Sequence, residues 1–113
     1  PLRHYFESFD KFRPLPEDVL VLPSHDYPFR GLHGRLDDLR AHHQVRLDAA
    51  VEQCVDPQTA TDVIPSLFDR EIGTFEFGFA IGETLAHPNY LVTDGALERR
   101  RDSDGIIRYR QAA

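Results

Sequence analysis

Residues 21–31 read VLPSHDYPFRG, and the fold turns on this stretch. An apolar run stops at Pro23. A lone His25 follows between Ser24 and Asp26, and the turn formers Pro28 and Gly31 close the segment. With the preceding residues the run reads DVLVLP (18–23), a short and almost wholly apolar strand. Strands of that kind are covered on both faces inside a sheet. The rest of the first 95 residues offers no partner strand. We therefore expect a strand whose sheet lies outside this chain, with one imidazole hung on its end.

Upstream, Leu2, Tyr5, Phe6, Phe9 and Phe12 recur at helical spacing, and RPLP (13–16) stops the pattern. Downstream, GRLDDLRAHHQVRLDAAVEQC (34–54) places Leu36, Leu39, His43, Leu47, Ala50, Val51 and Cys54 on one helical face. Asp37 and Asp38 are expected in its first turn, where they suit the helix dipole. DPQTATDVIPSLF (56–68) predicts a shorter helix with Thr59 or Thr61 as N-cap. Its Pro65 is either an early-turn residue or the cause of a break. FEFGFAIGETLAHPNYLVTDG (75–95) predicts a further helix whose inner face is Phe75, Phe79, Ile81, Leu85 and Leu91. Pro88 should kink or shorten it, and Gly95 should end it. ALERRRDSDGIIRYR (96–110) is a hairpin signal around SDG. The expected fold class is mostly α (α+β): helices with a C-terminal β-hairpin wing, winged-helix-like, preceded by one short strand.

The 113 residues suffice for one domain or two small lobes, and the 41% apolar share supports a modest core. The chain opens on Pro1 and has no methionine, so a piece of a longer polypeptide is expected. No apolar run is long enough to span a membrane, and no signal-peptide pattern opens the chain. A single Cys54 cannot form an internal disulfide, which makes a reducing, cytoplasmic setting the default. The net charge of -6 argues against a general nucleic-acid binder. The hairpin is the exception, with five arginines against three acids. An Arg-rich wing can bind phosphate, but charge also keeps a hairpin edge from aggregating. The helix that would read DNA is rich in Phe and almost free of basic residues.

Taken by its neighbours alone, His25 reads as a loop histidine making a hydrogen bond, because a zinc site needs three or four ligands. His42 and His43 are adjacent on a helix and point about 100° apart, so they cannot share one metal. His43 falls on the apolar stripe and reads as a core histidine. His33 and His87 are isolated and carry no assigned role. There is no HxH, CxxC or HExxH pattern. Ser24 and His25 are neighbours on extended chain, where side chains diverge, so they form no dyad. Cys54 reads as an inert core thiol.

VLPSHDYPFRG followed by RLDDLRAHHQVRL (35–47) resembles the C-terminal part of metallo-β-lactamase-fold hydrolases. There a late strand ends in a PGHG-type loop, and a helix with an HHxxR or HRxxR pattern follows. Here the loop is Pro23-Ser24-His25-Asp26 and the helix carries His42-His43-Gln44-Val45-Arg46. GETLAHPNYLVTDGALERRRDSDGIIRYR (82–110) resembles the helix and wing appended to the branch that includes relatives of glyoxalase II and lactamase-like endoribonucleases.

The resemblance implies that residues 1–31 are the end of the catalytic core, an αββα sandwich, and that residues 32–113 are the appended module. It makes His25 the last histidine ligand in a centre of two ions, usually zinc, whose other ligands are an HxHxDH motif, a further His and a bridging Asp from an upstream domain. Two glycines of the family loop are Ser24 and Asp26 here, so Asp26 either restricts the loop or adds a carboxylate behind the ligand. The parent would be a metal-dependent hydrolase. The fragment alone, with one ligand, is expected to bind no zinc and to be inactive. The partners implied are the missing N-terminal core and a possible second copy, through the Phe-rich helices, without membrane or nucleic acid. The rival classes are a free-standing winged-helix nucleic-acid-binding module, with salt-sensitive binding, and a purely structural dimerisation module.

Overall fold

The computed structural model describes residues 1–68 and 71–113. It contains α1 (Leu2–Asp10), α2 (Leu32–Gln53), α3 (Ala60–Leu67), α4 (Phe77–Asp94), β1 (Leu97–Arg101) and β2 (Ile107–Gln111). This is the expected order of helices ending in a hairpin. No described helix is long and apolar enough to cross a membrane. The chain forms two compact units, Pro1–Gln44 and Val45–Ala113, and α2 contributes residues to both.

In the first unit, α1 buries Leu2, Phe6 and Phe9, and α2 buries Leu32 and Leu36. His43 is half-buried and meets Tyr5 and Phe6 edge-on at 5.5 and 5.7 Å, so it packs as an aromatic wall. The Arg40 guanidinium lies 4.7 Å over the Phe6 ring. Helix α2 starts two residues before the expected stretch, at Leu32, which moves Asp37 and Asp38 out of its first turn. Glu17 takes the role assigned to them. Its backbone oxygen accepts from Gly31 N–H and Leu32 N–H, and its carboxylate accepts from His33 N–H at 2.6 Å and Gly34 N–H. A helix start leaves about four N–H groups without partners, and a negative charge there suits the dipole. One distant glutamate meets both needs.

The expected strand over 18–23 does not form among the described residues. A single bridge remains, between Val21 and Phe29, with both backbone hydrogen bonds at 2.8 and 3.1 Å. Burial still alternates: Val19, Val21 and Pro23 are half-covered, while Leu20 and Leu22 face outward, Leu22 at 74% exposure. The segment has the side-chain pattern of a strand without a neighbour to pair with on its outer side.

In the second unit, Leu47, Ala50 and Cys54 of the α2 end and its following turn are buried with Val63, Ile64 and Leu67 of α3. Thr59 is the N-cap of α3 and forms a capping box: its hydroxyl accepts from Asp62 N–H, and the Asp62 carboxylate accepts from Thr59 N–H. Pro65 sits in the second turn, and the helix ends two residues later.

Helix α4 corrects the expected face. Phe75, just before the helix, is 90% exposed, and Phe79 is 80% exposed. Leu85 is exposed as well. The inner face is Ala80, Thr84, His87, Pro88 and Leu91. Small side chains let α3 and β1 pack close, which an inward row of Phe would prevent. Pro88 does not end the helix, which runs to Asp94 and stops at Gly95 in the left-handed region. Pro88 removes one backbone bond, but it is fully buried, and the preceding turn gains a side-chain bond. His87 Nδ1 donates to the Glu83 carbonyl at 2.8 Å.

The hairpin pairs Leu97 with Gln111 through Arg101 with Ile107. Gly105, at φ 83°, makes the turn that closes it. Gln111 N–H donates to the Cys54 carbonyl and Gln111 Nε2 to the Val51 carbonyl. The end of α2 and the turn after it are thus satisfied by β2. Tyr109 exchanges both backbone bonds with Gln58, and its hydroxyl donates to Asn89 Oδ1 at 3.0 Å.

Two outcomes follow for stability. Thr59→Ala removes a capping hydroxyl and should cost about 1 kcal/mol in urea denaturation. The Asp62 carboxyl is held below its ordinary 3.8 by the Thr59 backbone bond. Arg100 and Arg108 hold Asp102 low, and Arg108 holds Asp104 low. Lowered carboxyls contribute stability above the unfolded pKa and lose it as pH falls through the folded one. The thermal midpoint should therefore hold down to about pH 5 and drop below 3.8, and Arg108→Gln should flatten that drop.

Candidate functional site

His25 lies on a loop that the backbone fixes at both ends. The Val21–Phe29 bridge closes its neck, and the Arg30 guanidinium donates to the Asp18 carbonyl below it. His25 and Asp26 are exposed. The hydrogen bond expected for a loop histidine is missing: no described residue bonds to either ring nitrogen of His25. The Asp26 carboxylate is also unbonded among the described residues, so it does not orient the imidazole here.

Asp26 is the one described non-glycine residue with positive φ, at 66°. Non-glycine residues enter this region at a cost of about 1–2 kcal/mol, with Asp and Asn among those that tolerate it. The loop therefore keeps a backbone shape made for glycine at the position where the resembling family has one.

The loop borders a cleft of about 760 Å³ within the first unit. Its wall is mainly apolar, with Phe12, Leu15, Val21 and Leu36 among the lining residues. The polar exceptions are His25, Asp26, Arg35 and the two tyrosines Tyr5 and Tyr27. Ser24 is exposed and makes no dyad with His25.

The remaining candidates fall elsewhere. His42 is exposed, and its ring centre lies 6.0 Å from that of His43. His33 is an anchor: its N–H binds Glu17, and its Nε2 lies 2.8 Å from the Leu15 carbonyl. Arg46, the last residue of the HHxxR pattern, pairs with Glu83 of α4 and lies 5.2 Å over the Phe68 ring. Cys54 is fully buried, and burial pushes its thiol up to about 11, which removes thiolate chemistry near neutral pH.

The hairpin arginines are engaged within the chain. Arg100 pairs with Asp102, Arg108 with Asp102 and Asp104, and Arg110 with Glu98. Arg99 donates to Asn89 Oδ1 and Arg101 to the Gly105 carbonyl. Among the described residues, no three His, Cys, Asp or Glu side chains come together as a metal site. Glu17, which anchors the stretch leading into the His25 loop, has no motif around it, and sequence reasoning passes over it.

Over nearly its whole length the chain superposes on two solved structures. One is a beta-lactamase domain protein from Burkholderia ambifaria, at 43% identity and a TM-score of 0.93, covering 99% of this chain and 34% of that one. The other is a metallo-beta-lactamase family protein from Thermus thermophilus, at 32% identity and a TM-score of 0.81, covering 98% and 33%. The chain thus spans about a third of the length of these relatives. A search of curated proteins returns no match. Residues 47–112 match the family described as metallo-beta-lactamase-like, C-terminal domain, and the chain belongs to that family.

Proposed function

We propose that this chain is the C-terminal part of a metal-dependent hydrolase, in which His25 is one metal ligand and the module after it shapes the substrate cleft. The observation that carries this reading is the state of His25. Its imidazole is exposed, unbonded and held on a loop closed by a backbone bridge, at the rim of a cleft. A free imidazole on a rigid mount suits a ligand, since neither nitrogen has to give up a partner to bind.

The fit to a metal is that of a single donor. The other ligands lie in the part of the polypeptide that precedes these residues, as do the strands that would cover Leu20 and Leu22. In this reading residues 1–31 finish the catalytic core, and residues 32–113 form the appended module. His25 would hold one ion of a dinuclear zinc centre in the parent, which when bound would supply an activated water and polarise a scissile carbonyl or phosphoryl group. The chain's own residues position one ligand and wall the cleft.

Asp26 restricts the loop. Its positive φ confines the backbone on one side of His25, and its carboxylate makes no hydrogen bond among the described residues. The exposed aromatic surface of Phe75, Phe77 and Phe79 is the contact with a second copy. Sedimentation velocity should show a dimer that Phe79→Glu dissociates, and a monomeric wild type would overturn that contact.

Two measurements test the ligand reading on the full natural polypeptide. His25→Ala should lower bound metal, measured by elemental analysis after dialysis, by about tenfold or more. Unchanged metal content would remove His25 from the centre. Asp26→Gly should relieve the left-handed strain and raise unfolding stability by about 1 kcal/mol, with metal content unchanged.

A further inference from the structure

His25 stands at the apex of its loop, midway between Val21 and Phe29, whose backbone groups exchange hydrogen bonds at 2.8 and 3.1 Å. An isolated pairing of two extended arms is marginal in water. What lies beneath the bridge therefore decides whether it persists. Arg30 donates to the Asp18 carbonyl in the next layer down. At the base, Glu17 meets the start of α2 with every oxygen it has. Its carbonyl accepts from Gly31 N–H at 3.1 Å and Leu32 N–H at 3.3 Å. Its carboxylate oxygens accept from His33 N–H at 2.6 Å and Gly34 N–H at 3.4 Å. The His33 ring fastens the same seam, with Nε2 donating to the Leu15 carbonyl at 2.8 Å and Nδ1 at 3.4 Å from the Glu17 carboxylate.

These contacts tie the residue that enters the loop to the residues that leave it. A strand covering the outer side of residues 18–22 would hold the outgoing arm. The returning arm, residues 27–31, would still depend on the bridge and on Glu17. A helix start can take such a clasp because its first N–H groups have no partner inside the helix and its dipole favours a carboxylate. The helix is itself seated by Leu32 and Leu36, both buried. The loop is thus referenced to a packed helix through one residue.

We propose that Glu17 is the positioning residue of His25. By clasping the base of the loop to the start of α2, it sets where the imidazole stands and so raises the metal affinity of the centre that His25 serves. The metal half of this statement rests on the ligand reading above. The clasp does not.

The test uses the full natural polypeptide and two readouts. The first is amide hydrogen exchange at Phe29, on the returning arm, in protein stripped of metal with a chelator. Exchange should be about tenfold faster in Glu17→Ala. It should stay near the wild-type rate in Glu17→Gln, which keeps an acceptor for His33 N–H. The second readout is zinc affinity, measured by competition with a chelator. Glu17→Ala should weaken it about tenfold, as loss of a group that orients a ligand does, and Glu17→Gln should restore most of it. In the His25→Ala background Glu17→Ala should weaken zinc no further. Circular dichroism of Glu17→Ala should match wild type, because the backbone carbonyl keeps its bonds. Glu17→Asp, which withdraws the carboxylate by one methylene, should show both effects more weakly and serves where Glu17→Ala folds poorly. Thr59→Ala, which loosens a helix start in the second unit, should leave both readouts unchanged. Unchanged Phe29 exchange in Glu17→Ala overturns the proposal, as does a zinc loss that adds in full to that of His25→Ala. Faster exchange in Glu17→Ala with full metal in His25→Ala overturns the ligand reading and leaves the clasp. Metal loss in His25→Ala with neither readout moved in Glu17→Ala overturns the clasp and leaves the ligand reading.

Discussion

Both ends of α2 need partners that the helix cannot supply. A 22-residue helix leaves unpaired N–H groups at its start and carbonyls at its end. In this chain both sets are met from far away in sequence. Glu17 reaches the start with two kinds of oxygen, and Gln111 reaches the Val51 and Cys54 carbonyls with two kinds of N–H. Each partner brings its own segment into place. Glu17 anchors the stretch that leads into the His25 loop, within the first unit. Gln111 anchors β2, and with it the hairpin, within the second. Packing of Leu32, Leu36, Leu47 and Ala50 holds one side of the helix, and these end contacts fix where it starts and stops.

What the sequence showed and what it hid divide along physical lines. The existence and type of the helices were legible because apolar periodicity and stop signals are local: Thr59 with Asp62, and Gly95 after Asp94. The inner face of α4 was not legible. A hydrophobic pattern ranks side chains by their aversion to water, whereas close packing favours small ones. Ala80, Thr84 and Pro88 won the inner positions over Phe75 and Phe79 for that reason. The DVLVLP run was legible as a strand by composition, but a strand exists only with a neighbour, and the described residues supply a single bridge. The outward Leu20 and Leu22 carry the same message as the composition did.

The candidate site was half legible. His25 could be found because a turn-bounded histidine after an apolar run is a pattern in the sequence, and the resemblance gave it a role. Asp26 could be flagged as a departure from glycine, but only its φ of 66° shows that the backbone retained the glycine shape. Glu17 left no trace in the sequence. It is a charged residue in a polar-looking stretch, distinguished only by the two N–H groups of a helix start that its carboxylate meets.

Charge counts mislead most where charges are paired. The hairpin looks like the basic site of an acidic protein, yet its five arginines are spent on Asp102, Asp104, Glu98, Asn89 and a carbonyl. The pairs are exposed or half-buried and individually weak, so their effect on stability is modest. Their effect on recognition is larger, because a guanidinium already facing a carboxylate must give that partner up before it can take a phosphate.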